Sequence, residues 1–346
     1  MTVTHERISP ARAESKGRWG FAHYLALASV PLLAYQAWTL AAWLAAGPHQ
    51  VTVGRDGSTI SWWAARVIEV GTTTLAITLL VLALRESRRL GRMSFDLKLW
   101  IALLITSFWD TFTNFIQPIW FYSSNFVNLN EWWGNAPGII SPAAGYGPYP
   151  VLALTMLYPC FVLESRIAAK LWGKVRTRHP DASPVRILAF GLTVSLAIGA
   201  VVSMVFVLPH LWAGPGMGVM ILDTSSYRWS IAEFLYVGIW STTVCALRVF
   251  VDERGEAITE RGLEALSPRM RDVVSTAATT AWCVLAVILW SSLVTITGFY
   301  ARPYPTGYPQ HLSNVVCDLP NAPQPSTHYG PCPGSKGFEI PLRTSG

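Results

Sequence analysis

Residues 107–120, SFWDTFTNFIQPIW, place polar side chains in a stretch that is otherwise apolar enough for a membrane helix. Asp110, Thr113, Asn114 and Gln117 are spaced i, i+3, i+4 and i+7, which gathers them on one face of an α-helix. A carboxyl in a low-dielectric site favours its neutral form, so it can serve as a general acid. The two amides could orient hydroxyl or carbonyl oxygens. This pattern predicts a site that transfers protons to and from an apolar substrate.

Further ionisable residues lie in the outer halves of other apolar stretches. Buried charges in a bilayer cost about 2.5–3.5 kcal/mol or more, so they normally face a bundle interior or a wet cavity. Glu69 or Glu233 could act as a base beside the acid. Alternatively, these carboxylates could form ion pairs with Arg66 and Arg228 that join helices near the interface. The predicted catalytic residues are Asp110, Glu69 and Glu233, and the predicted substrate-binding residues are Asn114, Gln117, Arg66, Arg228, His210 and Trp109.

Composition indicates the elements that must position these residues. The chain has 346 residues, of which 51% are hydrophobic and only 13% charged, so we expect an all-α polytopic membrane protein. Seven stretches are long enough to cross a hydrocarbon core of about 30 Å. They are Phe21–Ala46, Trp63–Leu84, Leu99–Tyr122, Tyr149–Leu171, Val185–Pro209, Trp229–Phe250 and Val273–Phe299.

The distribution of Lys and Arg predicts the orientation of the bundle. Twenty of these residues lie in the N-terminal arm, in the connections after spans two, four and six, or at the span ends that flank these connections, against four in the alternate connections and the C-terminal tail. The positive-inside rule therefore puts the N-terminus inside and the C-terminus outside. The net charge of +6 belongs to these inner loops, so we expect no nucleic-acid partner. The inner stretch 252–272 is predicted to form a solvated helix.

The topology divides the chain into three parts. We expect a cytoplasmic arm over residues 1–20, a seven-helix domain with aromatic outer loops over 21–299, and an extracytoplasmic tail over 300–346. Cys317 and Cys332 lie in this tail, where an oxidising compartment permits a disulfide, although two free thiols are the alternative.

The sequence lacks the motifs that are typical of several kinds of catalytic and metal sites. The chain has no HExxH helix, no Cys/His set with zinc spacing, no nucleophile elbow and no P-loop. Every Asp is isolated from the next, so no aspartate cluster could hold magnesium against a diphosphate. We therefore expect neither a metal nor a cofactor.

Three segments resemble the AveC-like family of membrane spirocyclases. They are AAGPHQVT after the first span, SWWAARVIEVG at the second and SFWDTFTN in the third, and the resemblance extends from about Trp19 to Phe299. It implies a cofactor-independent enzyme that closes a dihydroxyketone into a spiroketal or removes water to form an alkene. The resemblance brings no catalytic motif, so the site residues above are inferred from depth and spacing.

Together these observations predict a multi-pass enzyme of the plasma membrane. Its partners would be the lipid bilayer and an apolar polyketide, terpenoid or lipid substrate, while the oligomeric state stays open. The alternative is a seven-span transporter, lipid-binding protein or receptor in which Asp110 couples to protons. Against a transporter, we find neither internal repeats nor paired broken helices.

Overall fold

The computed structural model describes residues 19–51, 59–115, 120–138, 147–214, 219–224, 227–298 and 309–313. Most of these residues are helical. The α-helices are α1 (Phe21–Ala46), α2 (Thr59–Leu90), α3 (Phe95–Thr106), α4 (Val151–Arg178), α5 (Pro184–Val207), α6 (Ile231–Val249), α7 (Pro268–Gly298) and α8 (Gln310–Ser313). Two 3₁₀ helices cover Ser107–Asn114 and Trp133–Asn135.

Candidate membrane helices correspond to five of the seven predicted spans. Within the described residues, α1, α2, α4, α5 and α7 are long and apolar enough to cross a bilayer. The other two predicted spans correspond to α3, which has 12 residues, and α6, which has 19 and carries both Glu233 and Arg248. The total of seven spans and the orientation therefore stay predictions.

The third predicted span is not one continuous α-helix, and that part of the prediction is wrong. The α-helical hydrogen bonding ends at Thr106, the 3₁₀ helix continues to Asn114, and Phe121–Tyr122 forms a strand. Polar side chains explain the change, because hydroxyl and amide groups compete with the helix for backbone partners. Ser107 Oγ donates to the Leu104 carbonyl at 2.7 Å, and Asn114 bonds to the backbone of Trp120.

Six short strands form three antiparallel pairs at one end of the bundle, called here the strand end. They are β1 (Phe121–Tyr122) with β4 (Trp212–Ala213), β2 (Asn128–Asn130) with β3 (Pro148–Pro150), and β5 (Met220–Asp223) with β6 (Arg228–Ser230). The β1–β4 register places Tyr122 opposite Trp212. Two connections, before α4 and before α6, are thereby tied together above the helices.

The opposite end, called here the loop end, is fastened by buried ions. Lys98, only 1% exposed, contacts Glu260 Oε1 at 2.9 Å and Asp272 Oδ1 at 3.3 Å. Asp96 lies between the guanidinium groups of Arg166 and Arg248. The prediction of a solvated helix over 252–272 is wrong, since residues 253–266 form turns packed on the bundle and α7 begins at Pro268.

The three cysteines within the described residues, Cys160, Cys245 and Cys283, are free thiols within helices. Cys317 and Cys332 lie outside the described residues, so the disulfide stays a prediction.

Candidate active site

Asp110 lies in the 3₁₀ helix and is only 7% exposed. Tyr122 of β1 donates its phenol O–H to Oδ2, and Tyr158 of α4 donates to Oδ1 at 2.7 Å. The hydroxyl of Tyr236, on α6, lies 3.4 Å from that of Tyr158. Four elements thus converge on one carboxyl, and the two phenol donors stabilise its charged form and fix its orientation.

A narrow apolar cavity borders this carboxyl. It contains about 30 Å³ of free space, enough for about one water molecule. Its walls come from the strand end and from α4, α5 and α6, and they are mostly aromatic and aliphatic. The lining residues are Asp110, Trp120, Tyr122, Leu154, Leu157, Tyr158, Phe161, Val202, Trp212, Tyr236, Val237 and Trp240. Asp110 is the carboxyl among them.

Asn114 holds the chain that leaves the 3₁₀ helix. Its Nδ2 donates to the Trp120 carbonyl at 2.9 Å, and its Oδ1 accepts from the Trp120 backbone N–H at 3.0 Å. The amide therefore fixes the backbone of Trp120, whose ring lines the cavity. Gln117, the other predicted amide, lies outside the described residues.

Arg66 and Glu69 form the ion pair that was the alternative interpretation of these residues. Arg66 Nη2 lies 3.0 Å from Glu69 Oε2, and Glu69 Oε1 accepts the Val127 backbone N–H at 2.6 Å. Arg66 also donates to the Asn125 carbonyl. This pair joins α2 to the segment before β2, and neither side chain is part of the cavity wall.

Glu233 is fully buried, and its Oε2 accepts from Ser203 Oγ at 3.1 Å. Its side chain is not part of the cavity wall, although Val237, one helical turn further along α6, is. The side chain of Arg228 lies outside the described part of the structure, so its proposed pairing with Glu233 stays a prediction.

His210 and Trp109 lie away from the cavity wall. The His210 ring stacks on Tyr227 with centroids 4.3 Å apart, and its backbone has a φ of 55°. Trp109 stacks on Tyr35 and donates its indole N–H to Gln36 at 3.2 Å. Each residue therefore has a packing contact of its own: His210 packs on Tyr227, and Trp109 packs on α1.

A carboxyl that the sequence analysis did not select lies close to Asp110. Glu131 follows β2, is 2% exposed, and has Oε1 at 3.5 Å from Asn114 Nδ2. Its Oε2 has no hydrogen-bond partner in the described part of the chain. Burial raises the pKa of Glu131 well above its usual range, and the nearby charge of Asp110 adds to this rise.

The sequence of the chain matches the model of one protein family. The model for AveC-like spirocyclases matches residues 89–308. The chain belongs to the AveC-like spirocyclase family. The matched region contains Asp110, its three tyrosines and Glu131, whereas Arg66 and Glu69 precede it. Membership supports a membrane-associated role of the cyclase or dehydratase type. No curated protein and no solved structure matches the chain.

Sequence reasoning missed four side chains of this AveC-like site for an identifiable reason. Tyr122, Tyr158 and Tyr236 were indistinguishable from the many aromatic residues of membrane helices and their interfaces. Glu131 stands within NLNEWWG, which reads as an interfacial aromatic segment. An isolated acid between apolar aromatic residues was the available signal.

Proposed function

We propose that this AveC-like protein is an integral membrane enzyme that cyclises or dehydrates an apolar, oxygenated substrate by proton transfer at Asp110. The observation that carries the proposal is the Asp110 carboxyl held between two phenols at the edge of an apolar cavity. The substrate class is a polyketide, terpenoid or lipid with a ketone or hemiketal and free hydroxyl groups. No electrons are gained or lost in this reaction, so the proposal includes no redox cofactor.

The reaction requires one proton to be donated to the substrate and one to be removed from it. A proton reaches the hydroxyl oxygen of a hemiketal, the C–O bond breaks, and water leaves an oxocarbenium ion. A second hydroxyl then attacks this carbon, forms a new C–O bond and loses its proton to a base, which gives a spiroketal. Loss of a neighbouring C–H proton instead gives an alkene. Asp110 can exchange protons with substrate oxygens in either route.

The surroundings of Asp110 suit this reaction. The phenols of Tyr122 and Tyr158 hold its two oxygens from different elements, so the carboxyl is oriented before substrate binds. Apolar walls exclude bulk water, which would otherwise capture the oxocarbenium ion. The small free volume means that wall side chains must move to admit a substrate.

The proposal also includes the predicted topology and location of the protein. We propose seven spans with the N-terminus inside, the C-terminal tail outside and the plasma membrane as location, so that the strand end faces outward. Glu233 is hydrogen-bonded to Ser203 and Glu69 lies in the Arg66 ion pair, and neither side chain lines the cavity in this conformation.

A metabolite comparison tests the proposal. A strain lacking the gene is complemented with wild type, Asp110→Asn or Asp181→Asn, the last changing an exposed Asp as a matched control. We expect a species that exceeds a lost product by one water to accumulate with Asp110→Asn alone. Unchanged metabolites at equal membrane abundance would contradict the proposal and favour the transporter or receptor alternative.

A further inference from the structure

We propose that Glu131 is the proton donor of this site and that Asp110 is its proton acceptor. The inference rests on the proposed function and assigns its two proton transfers to two different carboxyls. It also replaces Glu69 and Glu233 as the partner of Asp110.

The first observation is the incomplete hydrogen bonding of a buried group. Glu131 is 2% exposed, and its Oε2 has no hydrogen-bond partner among the residues that the structure describes. A buried polar atom without a partner is costly, so its presence in a folded protein needs a reason. A substrate oxygen that accepts a hydrogen bond from Oε2–H would supply that partner.

The second observation is the contrast between the two carboxyls. Asp110 accepts two phenol O–H groups, which stabilises a carboxylate. Glu131 has a single weak amide contact from Asn114 at 3.5 Å and no basic side chain within ion-pair distance among the described residues. The charged form of Asp110 is thus stabilised more than that of Glu131, and two buried carboxyls that differ in this way are suited to different roles in acid–base catalysis.

The third observation is that the fold fixes Glu131 in place and joins it, through Asn114, to a residue of the cavity wall. Its backbone N–H donates to the Gly147 carbonyl at 2.9 Å, and a Cβ at Gly147 would lie 2.7 Å from Glu131 Oε1. Asn114 contacts Glu131 and also holds the backbone of Trp120, whose ring lines the cavity. Asn114 therefore links Glu131 to the Trp120 segment of the cavity wall.

The proton transfers balance in this assignment. Glu131 gives its proton to the departing hydroxyl oxygen, the C–O bond breaks and water leaves. The incoming hydroxyl forms the new C–O bond and gives its proton to Asp110. Transfer of that proton from Asp110 back to Glu131 restores both groups.

The test compares Glu131→Gln with wild type in membranes supplied with a lipid extract from the gene-deletion strain. Glutamine keeps the size, neutrality and amide contact but cannot give a proton, so we expect product formation to fall by at least about a hundredfold. Glu253→Gln, an exposed matched control, should retain full product formation. Glu131→Asp, which keeps a proton at a shorter reach, should retain more activity per folded protein than Glu131→Gln.

Infrared spectroscopy gives a readout that does not depend on turnover. Wild type at neutral pH should show a protonated-carboxyl carbonyl band that Glu131→Gln lacks. Full product formation by Glu131→Gln, or the absence of this band difference, would overturn the role of Glu131 while leaving that of Asp110 intact. If wild type itself removes no water from any component of the extract, the proposed function fails and this inference fails with it.

Discussion

Tyr122 and Tyr158 hold the two oxygens of Asp110, so their hydroxyls should matter more for turnover than for folding. Tyr122→Phe or Tyr158→Phe removes one donor to a carboxylate, and hydrogen bonds to charged groups contribute about 1.5–3 kcal/mol. We therefore expect product formation to fall by about tenfold to a hundredfold. Tyr24→Phe, which removes an exposed hydroxyl on α1, is the matched control.

Initial rates in membranes, normalised to folded protein from size-exclusion chromatography, measure this effect. If both phenylalanine variants matched Tyr24→Phe in rate, the phenols would be packing groups and the orientation of Asp110 would need another source.

At the same scale, residue type and depth predicted Asp110 correctly as buried, but could not identify its partners. Its phenol donors come from positions 12 and 48 residues further along the chain. Only the path of the backbone decides which of many tyrosines meet the carboxyl. The Arg66–Glu69 ion pair was predictable as an alternative because its residues are one helical turn apart.

At the scale of elements, the contact between α5 and α6 positions Tyr236 and Val237 on the cavity wall. The two helices approach closely at Gly199 and Gly238. A Cβ at Gly199 would lie 2.9 Å from the Phe234 carbonyl oxygen, and one at Gly238 would lie 2.9 Å from Leu196 Cα. Backbone atoms cannot rotate away, so only movement of a helix relieves these contacts.

We therefore expect Gly199→Ala and Gly238→Ala to destabilise the protein by about 1–3 kcal/mol through overpacking. Gly173→Ala is the matched control on α4, because nothing lies within 4 Å of its Cβ position. Thermal unfolding in detergent measures the difference. Equal unfolding temperatures for Gly199→Ala and Gly173→Ala would show that the helices do not touch at this point.

Hydropathy predicted the long helices better than the segment that carries the site. Five of the seven predicted stretches form apolar helices of at least 24 residues, since length and composition suffice for them. The stretch 107–120 belongs to a predicted span but contains many hydroxyl and amide groups, and local hydrogen bonds such as Asn114 to Trp120 replace helical ones. An i, i+3, i+4, i+7 pattern could not reveal that change.

At the scale of the whole molecule, buried ions fasten the loop end while the site lies toward the strand end. Lys98→Met leaves Glu260 and Asp272 without their shared cation, and breaking a buried ion pair costs about 3–5 kcal/mol. Arg254→Ala breaks an exposed pair with Glu264, which should cost less than about 1 kcal/mol.

Limited proteolysis of the 253–266 segment and thermal unfolding distinguish these two variants. We expect Lys98→Met to be cleaved faster and to unfold at lower temperature than Arg254→Ala. Similar behaviour of both variants would contradict the view that this segment is fastened by Lys98.

The central claim concerns the whole molecule, because Asp110 acts only where the 3₁₀ helix, β1, α4 and α6 meet. Its most direct test is to incubate membranes containing wild type, Asp110→Asn or Asp181→Asn with the extract of the gene-deletion strain, and to follow it by mass spectrometry. The account predicts that wild type and Asp181→Asn convert one component into a product lighter by one water, while Asp110→Asn, equally folded and inserted, does not. Conversion by Asp110→Asn at the wild-type rate would contradict it.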